Sequence, residues 1–285
     1  MNLTGMKTQR IFSHTALHVI LLAGSALMVI PLLWTLSTSL KTIQQIAVWP
    51  PEWIPNPVMW SNYVEVFHAA PVTLWIRNSL VIVAANVIGS VLTCSLVAYG
   101  FARIEFPGRD ALFILLLSTL MMPYIVRLIP LYVFYNDIGW INTFLPVTVP
   151  QLLARNPFFI FLLRQFFKGI PFELSDAARI DGCSEFGIWW RIVMPLSKPA
   201  LAAVAIFAFR DAWDNFLAPL IYLAGAPNLR PLAVGLYTLR GGGGQLPDTH
   251  YLMALSTLMV IPMLLMFAMG QRYFIRGVTL SGIKG

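Results

Sequence analysis

The segment Phe209-Arg-Asp-Ala-Trp-Asp-Asn-Phe216 sets four polar side chains, Arg210, Asp211, Asp214 and Asn215, in an otherwise apolar stretch. Inside a bilayer an ionisable group costs about 3 kcal/mol on insertion scales, so such groups face a protein interior or a water-filled cavity. Arg210 and Asp214 stand four residues apart and can pair on one helix face. Two readings follow. One is an ion pair that holds a helix bundle together. The other is a polar lining for a hydrophilic solute, with Asp214 and Asn215 offering hydrogen bonds and Trp213 a stacking face. Arg155, beside Asn156 and Pro157, is a second candidate for that pathway, against a reading in which it snorkels or pairs with a neighbouring chain.

A second cluster of chemistry-bearing residues is the charged island Glu173-Leu-Ser-Asp-Ala-Ala-Arg-Ile-Asp-Gly-Cys-Ser-Glu185, followed by Trp-Trp-Arg-Ile-Val-Met-Pro195. Pro171 suits a helix start, and Glu173 and Asp176 sit where the positive end of a helix dipole favours anions. Ala177 and Ala178 have almost no side chain, so another protein can approach the backbone there. Gly182 permits the left-handed turn that ends a helix, and Ser184 can cap a second helix running to Pro195. The expectation is a helix-turn-helix knob shaped for a groove in a partner, against the plainer alternative of an amphipathic loop.

Other chemistry is missing. None of the five lysines follows a glycine, so no phosphate loop is present, and Gly241 to Gly244 read as a flexible connection. His14 and His18 are an i, i+4 pair without an evident third metal ligand, which favours interfacial packing; His68 and His250 are scattered. No Ser-His-Asp order or nucleophile elbow appears. Neither an enzyme nor a metal or cofactor site is expected in this chain.

The elements that must position these residues are membrane helices. The chain is 58% hydrophobic and 11% charged, with a mean hydropathy of +0.74, far from soluble composition. Long apolar runs of about 20 residues must be helical in a bilayer. Six spans are expected, near 15–37, 78–102, 111–135, 142–165, 199–222 and 251–271. The first is too long for a signal core and reads as an anchor. Lys41 to Pro55, rich in Pro and Trp, reads as an irregular outer segment at the interface.

Orientation follows from the cations. With a cytoplasmic N-terminus, the inside segments carry Lys7, Arg10, Arg103, Arg109, Arg164, Lys168, Arg179, Arg191, Lys198, Arg272, Arg276 and Lys284, against Lys41, Arg127, Arg230 and Arg240 outside. Both termini and the island then face the cytoplasm. The net charge of +7 flanks spans rather than forming a phosphate-binding face, so nucleic acid is excluded as a partner. Cys94 in a span and Cys183 in a reducing compartment read as small fillers, not a disulfide.

The island resembles the conserved loop of permease subunits in binding-protein-dependent ABC importers, at Asp176, Ala177, Ala178, Gly182, Met194 and Pro195. From about Pro50 onward the chain looks like the maltose-type second permease of carbohydrate-uptake importers. The resemblance is carried by Pro50-Pro51-Glu-Trp53, Asn62-Tyr63, Asn78-Ser-Leu80, Ala98-Tyr-Gly-Phe-Ala-Arg103, Phe106-Pro-Gly-Arg109, Met122-Pro123, Ile129-Pro-Leu-Tyr132, Gly139-Trp-Ile-Asn-Thr143, Phe161-Leu-Leu-Arg-Gln-Phe-Phe167 and Gly277-Val-Thr-Leu-Ser-Gly-Ile-Lys-Gly285. It departs at Asp176, where the family usually has glutamate; the charge stays and its reach shortens.

The resemblance implies an all-α polytopic membrane protein with the type I ABC importer permease fold. Residues 1–73 would hold the N-terminal tail, first span and outer loop, 74–272 the transmembrane domain with a coupling helix near 172–195, and 273–285 a cytoplasmic tail reaching between ATPases. It implies a homologous second permease, two copies of a cytoplasmic ATPase that carry the ATP and Mg, an external solute-binding protein, and residence in a bacterial or archaeal cytoplasmic membrane among its lipids. Glu173, Asp176, Ala177, Ala178, Asp181, Gly182 and Pro195 would couple to the ATPase. A sugar or polyol would cross by alternating access. The alternatives are glycerol phosphate or another non-sugar solute in the same family, or an ion-coupled carrier, which would show internal repeats and interrupted helices.

Overall fold

The computed structural model describes residues 3–241 and 249–281, with side chains for 14–239 and 249–271. The glycines at 242–244, the residues at 282–285 and the side chains of Lys7, Arg10, Arg240, Arg272 and Arg276 lie outside the described residues. Among the described residues all regular structure is helical. The chain divides into two compact units, 1–71 with 236–261, and 72–235 with 262–285.

In the first unit the helix Leu3–Ser39 presents Leu21, Leu22, Leu27 and Met28 outward, as a membrane anchor does. The Pro- and Trp-rich segment after it forms one short turn, Ile43–Ile46, capped by Thr42, and is otherwise irregular, as its composition predicts. Its order comes from polar ties. Lys41 is buried, lies 4.2 Å over the Trp34 ring and donates to the Glu52 carbonyl. Asn62 Nδ2 donates to the carbonyls of Ser39 and Lys41 at 2.8 and 3.0 Å. Trp49, Trp53 and Trp60 are exposed, the placement of an interfacial belt.

In the second unit the helix Val72–Arg103 is the centre. Its buried residues Asn78, Ile82, Asn86, Ser90, Cys94, Ala98 and Ala102 recur every four positions. Ala200, Val204, Ala208 and Ala212 form a similar stripe on the helix Lys198–Trp213. Small residues on such stripes let membrane helices approach closely, because packing rather than hydrophobic transfer drives their association. Phe159, Ile160, Leu163 and Phe167 on the helix Pro157–Lys168 fill the remaining core.

Three of the six expected spans differ from continuous helices. The third is Arg109–Met121 and Tyr124–Asp137, bent by 99° at Met122-Pro123. The fourth is two short helices, Leu145–Leu152 and Pro157–Lys168, separated at 153–156. The fifth stops at Trp213 and resumes as Leu217–Tyr222. Pro123 and Pro157 explain two breaks, since a proline excludes helical backbone from the residue before it and can open the next helix. By length and apolarity three helices can cross a membrane alone, His14–Ser39, Val72–Arg103 and Thr249–Gln271, or five if each bent pair counts once. The helix Thr249–Ser281 carries the backbone of the expected C-terminal tail as far as 281.

Candidate functional site

The breaks in the second unit open onto one polar cavity of about 580 Å³. Its lining includes Asn86, Tyr124, Arg127, Gln151, Arg155, Asn156, Arg210, Asp211, Asp214 and Asn215. Six of the seven expected pathway residues therefore come together. The seventh, Trp213, does not: it is 4% exposed and stacks on Phe209 at 5.8 Å, so it serves packing. Neighbouring residues on a helix point about 100° apart, which the run of neighbouring polar residues concealed.

Arg155 is held on a fixed break. Thr93 Oγ1 lies 3.2 Å from the Gln151 carbonyl and accepts the Ala154 N–H at 3.1 Å. Asn86 Nδ2 donates to the Val147 carbonyl at 3.0 Å. At Gly89 a Cβ would stand 3.1 Å from the Gln151 backbone, so a side chain there would require that backbone to give by a few tenths of an ångström. Ala154 takes a left-handed φ of 54°, an unusual choice without glycine that the Thr93 bond helps to hold. Asn156 then caps the next helix, its Oδ1 accepting from Phe158 N and Phe159 N at 3.1 and 3.4 Å. The Arg155 guanidinium lies 5.9 Å from the Tyr124 ring centre.

Arg210 and Asp214 approach only to 3.9 Å, with both side chains more than half exposed. Such a pair stabilises little, so the polar lining is the stronger of the two readings. Sequence reasoning missed Arg127, counted among the outside cations. It sits in the first turn of Tyr124–Asp137 and lines the cavity, its Nε buried without a hydrogen-bond partner, as is Gln151 Oε1. An arginine just after Met-Pro was the available signal.

The island folds as a knob. Its helix is Glu173–Ile180, with Pro171 two residues ahead of it and Glu173 and Asp176 in the first turn. Gly182 has φ +84°, donates to the Arg179 carbonyl at 3.0 Å, and is followed by Cys183 N–H to the Ala178 carbonyl at 2.9 Å. Ser184 caps the next helix, its Oγ accepting from Gly187 N at 3.2 Å. That helix, Glu185–Leu196, contains the wide π turn Trp189–Val193, ends past an exposed Pro195, and meets Lys198–Trp213 at 84°.

One expected contact residue is misplaced. Ala178 is 6% exposed and belongs to the core, whereas Glu173, Asp176, Ala177, Asp181 and Gly182 are exposed. The small side chain of Ala178 seats the helix on its own protein. The apolar residues turned outward are Ile180 and Phe186, 87% and 63% exposed.

A chain of polar contacts joins the knob to the central helix, and of its four members only Asp176 was among the expected site residues. Tyr99 donates to Glu185 Oε2 at 2.5 Å; Arg179 donates to Glu185 Oε1 and to Asp176 Oδ1, each at 2.7 Å. The hydrogen bond from Arg179, and then that from Tyr99, hold the Glu185 carboxyl below its ordinary range against some burial. Behind the knob, buried Arg103 donates to the carbonyls of Phe167 and Ile170 at 2.8 and 2.5 Å, closing the end of Pro157–Lys168. The tyrosine stands inside the Ala98 to Arg103 motif, which was the signal available for it.

Residues 85–280 match the family described as the binding-protein-dependent transport system inner membrane component. The chain belongs to this family. The permease is 38% identical over 232 residues, 81% of each chain, to the arabinooligosaccharides transport system permease protein of Halalkalibacterium halodurans. It is 31% identical over 267 residues, 92% of this chain and 94% of the other, to the sn-glycerol-3-phosphate transport system permease protein of Yersinia enterocolitica. It also superposes with a TM-score of 0.83, over 94% of its own length and 98% of the other chain, on a chain from the crystal structure of a bacterial ABC transporter involved in the import of the acidic polysaccharide alginate. At 21% identity that likeness shows the fold, an all-helical ABC importer permease. The permease is therefore an inner-membrane transport component rather than an enzyme, and works with an ATPase and a solute-binding protein.

Proposed function

We propose that this permease carries a sugar, or a polyol related to one, through the polar cavity by alternating access. The observation that carries the reading is the convergence of three broken spans on one 580 Å³ space that holds Arg155, Asn156, Arg210, Asp211, Asp214 and Asn215. A hydroxyl-rich solute asks for donors and acceptors at close spacing, and discontinuous helices supply them at membrane depth. The arabinooligosaccharide relative supports a sugar, and the glycerol-phosphate relative marks the nearest alternative within the family.

In this reading a homologous second permease completes the pathway, six spans cross the bilayer with both termini inside, and two ATPase copies hold ATP and Mg. One copy grips the knob through Glu173, Asp176, Ala177, Asp181, Gly182 and Pro195. The gathering of Arg103, Arg109, Arg164 and Arg179 around the knob's end of the second unit supports a cytoplasmic placement. Movement of the ATPase would pass through Arg179 and Glu185 to Tyr99, and so into the helix Val72–Arg103.

The test is reconstitution of the permease with its second subunit, ATPase and binding protein in liposomes. Uptake of a labelled sugar should need both ATP and the binding protein, and Asn215→Ala should reduce it several-fold with the complex intact. Uptake driven by an ion gradient without ATP would overturn the reading in favour of a secondary carrier.

A further inference from the structure

Three arginines line the cavity, Arg127, Arg155 and Arg210, against two carboxylates, Asp211 and Asp214. The carboxylates are not evenly shared. Both stand on or beside Arg210, one the next residue and one its ion-pair partner at 3.9 Å. Among the described residues no ion pair includes Arg127 or Arg155. The same two arginines also border a second space of about 800 Å³, lined by Met122, Val126, Phe134, Leu153 and other largely apolar residues, with no carboxylate among them. Two guanidiniums thus sit half-buried at the junction of a polar and an apolar space, with a buried Nε on Arg127 that has no acceptor.

Guanidinium groups drawn into a low-dielectric interior without a counter-charge are costly, and a planar fork of donors is matched by an oxyanion. Packing does not explain them. Arg103 and Arg164, the two buried arginines of the same unit, donate to backbone carbonyls, and Arg164 also to Asp110, although Arg103 Nε, like that of Arg127, is buried without a partner. Nor is Arg155 free to turn away, since Thr93, Ala154 and Asn156 fix its backbone.

We propose that Arg127 and Arg155 form an anion site in the pathway, and that the solute is a sugar carrying a carboxylate, phosphate or sulfonate. The inference rests on the sugar-import reading and narrows it. The anionic group lies between the two guanidiniums, and Arg210, already shared by Asp211 and Asp214, is left to the hydroxyls. Binding by one group of opposite charge in a water-poor site also rejects the neutral analogue, because the arginines would then be left without a partner.

The experiment uses the full importer in liposomes with three labelled probes: a disaccharide ending in glucuronate, glucose 6-phosphate, and the neutral disaccharide with glucose in place of glucuronate. One of the two anionic probes should be carried in preference to the neutral one, and which one assigns the group. R127Q and R155Q should each cut its uptake about tenfold, the scale for losing hydrogen bonds to a charged group, while R127K, which keeps the charge without the planar fork, loses less than R127Q and the second permease still co-purifies. Preference for the neutral disaccharide, or anionic uptake unchanged in R127Q and R155Q, would overturn the anion site and leave the sugar reading standing. Loss of the second permease from purified R127Q and R155Q complexes would also overturn it, by making the arginines interface groups. Uptake of no probe would count against the sugar reading itself.

Discussion

The knob and the cavity are built on opposite plans. In the knob the charges answer one another: Asp176, Arg179 and Glu185 are joined at 2.7 Å, Ser184 caps, and Gly182 closes the turn. In the cavity Arg127 Nε and Gln151 Oε1 are buried without partners, and the one ion pair reaches only 3.9 Å. A closed network of charges makes a shape that survives being pushed, although Ser175 Oγ and Trp189 Nε1 beside it are buried without partners. An unfinished one makes a place that binds what is missing, since buried polar groups without partners cost free energy until a ligand supplies them.

The sharpest way to break this contrast is Gly182→Val. A β-branched residue at φ +84° is strained by about 1–2 kcal/mol at least and deforms the knob. Transport should fall by more than a hundredfold, with the ATPase lost on co-purification and insertion into the membrane intact; retained transport would show that the knob's shape is not what the ATPase reads. Glu185→Ala comes next. It cuts the tie to Tyr99, so uptake should fall about tenfold while the ATPase still co-purifies and hydrolyses ATP, an uncoupled phenotype; Tyr99→Phe should give a weaker version of the same loss. Parallel loss of docking would place Glu185 in the contact instead.

Acid is a gentler probe of the same tie. Glu185 is held below its ordinary value of 4.5, so its stabilising contribution is complete above that value and is lost as the pH falls through the lower folded value. Coupling measured from pH 8 to 5 should therefore show no step from this group, and a step near pH 6 would mean that Glu185 is not held as described. The smallest effect belongs to the double variant Arg210→Gln, Asp214→Asn. The exposed, long pair contributes under about 1 kcal/mol, so the melting temperature should move by no more than about 2 °C; a large fall would restore the structural ion-pair reading.

How much of this was legible follows from where the information is local. Gly182, Ser184 and the acidic first turn are rules about neighbours in sequence, and the knob appeared where they put it. Met122-Pro123 and Asn156-Pro157 are also local, yet each was passed over inside an apolar run that looked long enough to cross a membrane unbroken. Hydropathy averages over a window and cannot see a bend of 99°. Arg127 and Tyr99 were passed over for another reason: their meaning depends on partners 28 and 86 residues away, Arg155 and Glu185. Trp213 and Ala178 show the converse, residues of suitable type whose helix face points into the core.

The close approach of Gly89 to the Gln151 backbone has a mechanical consequence. It joins the Arg155 wall of the cavity to the helix Val72–Arg103, and ten residues further along that helix Tyr99 grips the knob. The two stations lie about 15 Å apart along one helix, with the π turn Ser90–Cys94 between them. A displacement applied at the knob would reach that wall through a single helix, whereas the wall carrying Tyr124 and Arg127 hangs from a right-angled elbow and can lag behind. The stroke of the transporter would then be the difference between a driven wall and a trailing one.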